Sequence, residues 1–187
     1  MKIIVLAGGL SPERDVSLTS GAGICRTLRE KGHQAFLLDV FFGLPYDTDK
    51  LDEVFDLPGG GLEIAEGIKT TVPDLEALKK QRPDQSDCLI GPNVLELCKM
   101  ADITFMGLHG SIGEDGKLQA MFDILDIHYT GPNALSCTLS MNKLVSKQIF
   151  KMSGVPTPRG TSLTPKTKDT PLYELVYYLP LVLKPFS

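Results

Sequence analysis

The sequence predicts an α/β protein built on a parallel sheet, and three observations carry that prediction. Lys2–Ala7 and Ile103–Leu108 are apolar runs without alternation, the pattern of strands covered on both faces. Each run breaks into glycine and then into a stretch with helical spacing of apolar residues, the order strand, tight loop, helix. A further strand-like run, Gln34–Val40, follows the first helical stretch directly, which makes a βαβ unit with an expected right-handed crossover.

Composition narrows the class. A chain of 187 residues holds one domain of ordinary size, or one domain and part of another. With 42% hydrophobic and 22% charged residues it fits a globular protein. A net charge of -4 argues against nucleic acid as a main partner, because such binders present a basic surface. No apolar run reaches the ~18 residues that a membrane helix needs. Ile3–Ala7 is too short for a signal segment and enters Gly8-Gly9 instead of a cleavage site. Cys25, Cys88, Cys98 and Cys137 fit no CxxC spacing for metal or redox work, and read as reduced thiols of a cytoplasmic protein.

In chain order, the strand Lys2–Ala7 ends at the Gly8-Gly9 turn and the polar loop Ser11–Asp15. Val16–Lys31 is expected as a helix with Ile24 and Leu28 on its inner face, Cys25 within it and Gly32 as its stop. After the strand Gln34–Val40, the stretch 41–92 shows little periodicity and reads as a functional loop, an inserted excursion or a poorly ordered segment, with a short helix at Asp74–Lys80. Val94–Met100 resumes a helical pattern and leads into the strand Ile103–Leu108. Gly110, Gly113 and Gly116 space the next loop, and Leu118, Met121, Phe122 and Leu125 then recur at i, i+3, i+4 and i+7. Ile127–Tyr129 is a short edge strand closed by Gly131-Pro132. Beyond it, Asn133–Leu139 is a short helix, and a second begins at Ser140 with Leu144, Ile149 and Met152 facing inward and Gly154 ending it. Val155–Pro158 is extended, since residues before proline avoid the α region. Leu172–Tyr178 is expected as a helix and Leu179–Pro185 as a buried strand. The domains expected are therefore 1–131, with an insert at about 41–92, and an incomplete 132–187.

The two glycine loops hold the chemistry. His109 stands just past a strand end, where open α/β sheets bind ligands, among glycines that let other groups approach the backbone. A hydrogen-bonded packing role for His109, with Glu114 and Asp115 favouring the next helix N-terminus, is the structural alternative. A phosphate-cradling P-loop is excluded: Gly110 and Gly116 are one residue too far apart, and Leu118 follows Lys117. At the first loop, Gly8–Pro12 does not match GxGxxG, and Glu13 and Asp15 stand where pyrophosphate would lie. Carboxylates there suit a cation or an ammonium group, although Glu13 could equally serve the helix N-terminus or Arg14. Lys143 by itself reads as a solvated helix lysine. Lys184 at a strand end is less usual and favours function.

Four islands line up in order: Ala7-Gly-Gly-Leu-Ser-Pro-Glu-Arg-Asp-Val-Ser-Leu18, Leu108-His-Gly-Ser-Ile-Gly-Glu-Asp-Gly-Lys-Leu-Gln119, Tyr129-Thr-Gly-Pro132 with Ser140-Met-Asn-Lys143, and Leu181-Val-Leu-Lys-Pro185. Together they closely resemble the D-alanine–D-alanine ligases of bacterial cell-wall synthesis, members of the ATP-grasp superfamily. The resemblance implies a pre-ATP-grasp, Rossmann-like first domain followed by the start of an ATP-grasp central domain. It implies that Glu13 of the E-R-x-V-S motif helps hold the ammonium of the first D-alanine, that Val16 contacts the same substrate, and that His109 lines the site. It implies that Lys143 of S-M-x-K and Lys184 of K-P contact ATP phosphates, that Mg2+ is required, and that the enzyme is a cytoplasmic homodimer.

The departure from the family pattern is at the end of the chain. In the family, K-P is followed by a serine- and glycine-rich loop over the phosphates, and the magnesium ligands come much later. The expectation is that these 187 residues lack the metal ligands and are inactive alone. A non-catalytic binding or dimerisation module of the same fold is the competing reading. An ATP-grasp ligase for another carboxylate is disfavoured by the E-R-x-V-S and HGxxGEDG pair.

Overall fold

Lys2–Ala7 forms β1, and its position at the centre of the sheet explains why it is apolar throughout. The sheet has three parallel strands in the order β2-β1-β3, with β2 at Gln34–Asp39 and β3 at Ile103–Met106. The register runs from Lys2↔Gln34 to Ala7↔Asp39 on one side and from Ile3↔Ile103 to Leu6↔Met106 on the other. The computed structural model describes residues 1–44, 48–166, 169–171, 182 and 184.

Alternate strand residues point to opposite faces, so each face of β1 and β2 takes its own layer. Ile3, Val5, Ala7, Ala35 and Leu37 pack against Leu18, Ala22 and Cys25 of α1, Arg14–Glu30. Gly21 brings α1 close to the sheet, where an added Cβ would lie 2.8 Å from that of Ala7. The buried stripe therefore centres on small residues, while Ile24 and Leu28, expected at its middle, are half-buried at its edge. Ile4, Leu6, Phe36, Leu38 and Val40 face the other layer.

Part of the stretch 41–92, for which a poorly ordered segment is one expectation, packs into that second layer. Its 3-10 helix, Thr48–Asp56, inserts Leu51, Val54 and Phe55, each 0–1% exposed, into the core. Each such burial stabilises by about 1.5–3 kcal/mol. The helix α2, Leu75–Gln81, is capped by Asp74, whose side chain accepts from the Glu76 and Ala77 N–H groups. Arg82 is 2% exposed: it donates to the Cys88 and Ile90 carbonyls, pairs with Asp84 and lies over the Phe41 ring. The excursion leaves and rejoins the sheet at a clasp. The Gly43 N–H donates to Asp39 O, Gly91 N–H to Val40 O and Leu44 N–H to Pro92 O, with 2.8–3.0 Å between the heavy atoms. A side chain on Gly43 would collide with Pro92, and one on Gly91 with Gly43.

After the excursion come α3, Val94–Met100, and then β3. A short turn of helix, α4 at Ser111–Glu114, precedes α5 at Lys117–Ile124, which buries Leu118 and Phe122 in the second layer. Tyr129 makes one parallel bridge to Thr104, flanked by the Thr104 N–H to His128 O and Thr130 N–H to Thr104 O bonds, where a short strand is expected.

The chain divides into two compact units, Met1–Thr138 and Leu139–Ser187. The helix α6, Ala134–Met141, spans the division. In the second unit α7, Lys143–Met152, is capped by Asn142, whose side chain accepts from the Val145 N–H at 3.1 Å. The inward face expected there is not formed: Leu144 is half-buried, but Ile149 is 39% and Met152 88% exposed. The extended Val155–Pro158 stretch that follows brings no apolar layer to cover them. The expected helix Leu172–Tyr178 and strand Leu179–Pro185 lie outside the described residues, except for the single positions Val182 and Lys184. Among the described residues, no helix is long and apolar enough to cross a membrane.

Candidate functional site

The β1–α1 turn is fixed by three polar side chains. The Ser17 hydroxyl accepts from Gly8 N–H at 2.9 Å and donates to Gly107 O at 2.7 Å, which ties the ends of β1 and β3 to α1. Asp39, at the end of β2, accepts from the N–H groups of Gly9, Phe41 and Phe42 at 3.3, 2.8 and 3.2 Å. It also pairs with Arg14, whose guanidinium donates to Gly9 O at 3.0 Å and lies over the Phe42 ring. Both charged side chains are buried, and each is matched by the other and by backbone groups, as buried charges require. Sequence reasoning singled out none of these three residues for the site. Arg14 and Ser17 fall inside the E-R-x-V-S motif, which was the available signal.

On this frame the turn presents Glu13 at the N-cap of α1, with its N–H on Ser11 Oγ. The Glu13 carboxylate is exposed and has no hydrogen bond or ion pair among the described residues. Glu13 thus stands in solvent at the N-terminus of α1, without a side-chain cap bond, and Arg14 is held by Asp39. Val16 is 43% exposed although α1 otherwise turns its apolar residues inward. Glu13, Val16 and Ser20 stand at i, i+3 and i+7, on one helix face. His109 closes that face, with Nε2 3.4 Å from Ser20 Oγ.

The His109 loop is held from within. Gly110 has φ +83, which glycine alone adopts without strain, and an added Cβ would lie 2.6 Å from Ser11 Oγ and 3.6 Å from Glu13 Oε2. The two glycine loops thus meet edge to edge at Glu13. Glu114 accepts from Gly110 N–H at 3.0 Å, and Asp115 accepts from the Lys117 N–H and ion-pairs with its ammonium at 2.7 Å. Gln119, 3% exposed, donates to Gly113 O at 2.6 Å. The two loop carboxylates are thereby committed to shaping the loop. Among the described residues, no group of three His, Cys, Asp or Glu side chains could hold a metal ion.

The structure brings Glu13, Val16 and His109 together in the first unit. Lys143, the first residue of α7, and Lys184 belong to the second unit and are exposed. A 430 Å³ apolar groove lined by Ile24, Leu28 and Phe105, and a 380 Å³ hollow at Asp123, Asp126 and His128, contain none of these five residues.

Residues 2–132 match the family described as D-ala D-ala ligase N-terminus. The D-alanine–D-alanine ligase of Lacticaseibacillus casei is 42% identical, and the match covers 100% of this chain and 51% of that protein. That of Pediococcus pentosaceus is 38% identical over 100% of this chain and 52% of its own length. The crystal structure of the Bacillus anthracis D-alanine–D-alanine ligase superposes with a TM-score of 0.58 at 26% identity, covering 94% of this chain and 41% of that one. The chain spans about half the length of the curated relatives it matches. A parallel βαβ frame, the two interlocked glycine loops and the match across residues 2–132 lead to one conclusion: this chain belongs to the D-alanine–D-alanine ligase family, of which it carries the N-terminal part.

Proposed function

We propose that this chain supplies the first amino-acid site of an ATP-dependent D-alanine–D-alanine ligase. The observation that carries the reading is the Glu13 carboxylate, left without a partner beside Val16, His109 and the edge of Gly110. A fixed carboxylate meets a substrate ammonium through charge-assisted hydrogen bonds, which orient as well as bind. Val16 offers the apolar contact for the alanine methyl group, and His109 borders the same space. With the ammonium held there, the substrate carboxylate takes the γ-phosphoryl group of ATP, giving D-alanyl phosphate and ADP. The amine of a second D-alanine then attacks the acyl carbon, loses a proton, and phosphate leaves.

Phosphoryl transfer of this kind is mainly positioning and charge neutralisation. Lys143 and Lys184 are the side chains proposed to meet the phosphates. The described residues do not fit a magnesium site, since Glu114 and Asp115 are engaged by Gly110 and Lys117, so no step of the reaction is assigned to the ion on this chain. The enzyme is proposed to act in the cytoplasm as a homodimer.

The test uses this chain continued by the C-terminal half of the Lacticaseibacillus casei relative. Glu13→Gln should raise the KM for the first D-alanine about tenfold or more, the scale of a lost charged hydrogen bond, and leave the KM for ATP unchanged. Lys143→Met and Lys184→Met should do the reverse. The 187-residue chain alone should release no phosphate from ATP with D-alanine and magnesium. An unchanged D-alanine dependence in Glu13→Gln would remove the assignment, and turnover by the 187 residues alone would place the active site elsewhere.

A further inference from the structure

We infer that Ser20 is a positioning residue that fixes the tautomer of His109. The inference rests on the reading of His109 as part of the amino-acid site. A serine hydroxyl carries one hydrogen and two lone pairs. Ser20 spends its hydrogen on the carbonyls of its own helix: Oγ lies 2.7 Å from Val16 O and 3.2 Å from Ser17 O. Nothing remains to donate to His109 Nε2, which lies 3.4 Å from the same oxygen. What Ser20 presents to the ring is a lone pair, so Nε2 must carry the hydrogen and donate it. In the neutral imidazole the other nitrogen, Nδ1, is then a bare acceptor, because the bond at one ring nitrogen sets the state of the other. No described residue contacts Nδ1 by a hydrogen bond.

The chemistry this creates is specific. Gly110, next in the chain to His109, lies at the edge of Glu13, so a bare Nδ1 would offer a substrate ammonium held there a second acceptor. The opposite tautomer would aim an N–H at that ammonium and repel it. Ser20 shares the α1 face with Glu13 and Val16, so one rigid helix sets the carboxylate, the apolar contact and the ring state together. The hydroxyl itself touches no substrate in this arrangement.

The chain contains three histidines, His33, His109 and His128. Replacing His33 and His128 with Gln leaves one imidazole to observe. Two-bond proton–nitrogen correlation spectra of the labelled 187-residue chain near pH 8, where an ordinary histidine is neutral, read the tautomer directly. The expected result is a single Nε2–H form. Ser20→Ala should relax it toward the mixed population of a solvated imidazole. Ser20→Thr should restore it, because a helical threonine hydroxyl also bonds the carbonyl four residues back. In the continued chain, Ser20→Ala should raise the KM for D-alanine about two- to tenfold, the scale of one hydrogen bond, with kcat and the KM for ATP little changed. An Nδ1–H form in the parent chain, or the same tautomer balance with and without the Ser20 hydroxyl, overturns the proposal. D-alanine that moves resonances around Glu13 and leaves Nδ1 where it was overturns it as well. D-alanine that moves neither removes the underlying site reading, and the proposal with it.

Discussion

Cutting the Arg14–Asp39 pair from one side should be among the most damaging single changes in the first unit. The two side chains are 10% and 6% exposed, so the rule for surface pairs, worth little, does not apply. Removing one partner of a buried pair leaves an uncompensated charge and costs about 3–5 kcal/mol. Asp39→Ala also strips the acceptor from the Gly9, Phe41 and Phe42 N–H groups, so its cost belongs at the upper end. A domain has only about 5–15 kcal/mol in total. With a urea m-value of about 2 kcal/mol per molar, the midpoint should drop by about 1.5–2.5 M. Arg14→Met should lose a similar amount, and Arg14→Met with Asp39→Ala should lose clearly less than the sum, because the second change removes the orphaned charge. Urea unfolding of the four proteins by far-UV circular dichroism is the assay. A midpoint shift under about 0.3 M for Asp39→Ala, or strictly additive costs, would refute the view that this pair holds the turn.

Other outcomes follow from neighbouring features. Gly110→Ala, at φ +83 with Ser11 Oγ in the way, should cost about 1–3 kcal/mol in the same assay and raise the KM for D-alanine in the continued chain; a neutral result would mean the loop rearranges freely. Gln119→Leu orphans the Gly113 carbonyl and should lose about 1–3 kcal/mol, with faster amide exchange confined to residues 110–117. Burial pushes the Cys25 thiol up to about 11 and Cys98 up to about 12, while the same thiols in the unfolded chain ionise near 8.5. The unfolded state therefore releases protons first, so the stability these groups contribute is complete below about pH 8.5 and is lost as pH rises toward 12. Cys88, the exposed thiol, should react fast with a disulfide reagent and the three buried thiols only after unfolding; a second fast thiol would contradict the burial.

Much of the first unit was legible because its segments bury one face at a fixed period. β1, β2, α3 and α5 follow from that pattern alone. The 3-10 helix at Thr48–Asp56 was legible in principle, since Leu51, Val54 and Phe55 stand at i, i+3 and i+4, but prolines and glycines on either side diluted the signal. Arg82 could not be placed inside from sequence, because its burial depends on carbonyls of Cys88 and Ile90 that only the folded loop aligns. The site divides in the same way. Glu13, Val16 and His109 sit in local motifs. Asp39 is a partner of Arg14 across 25 residues, and Ser20 meets His109 across 89, contacts that no local pattern encodes.

The clasp at Gly43 and Gly91 makes the intervening stretch a graft in the topological sense. Its two ends touch, and between them the stretch is tied to the sheet at set points, such as the Gly60 carbonyl that accepts from the Leu37 N–H of β2, while the run from Glu66 to Val72 is exposed. Closing a flexible loop grows costlier only with the logarithm of its length, about 0.6 kcal/mol per doubling. Lengthening the exposed run from Glu66 to Val72 should therefore leave strand register and the glycine loops alone, provided Leu51, Val54, Phe55, the Gly60 carbonyl and Arg82 are kept. The excursion is a place where a recognition element, a fluorescent reporter or a whole foreign domain could be spliced in while the amino-acid face on α1 stays as it is.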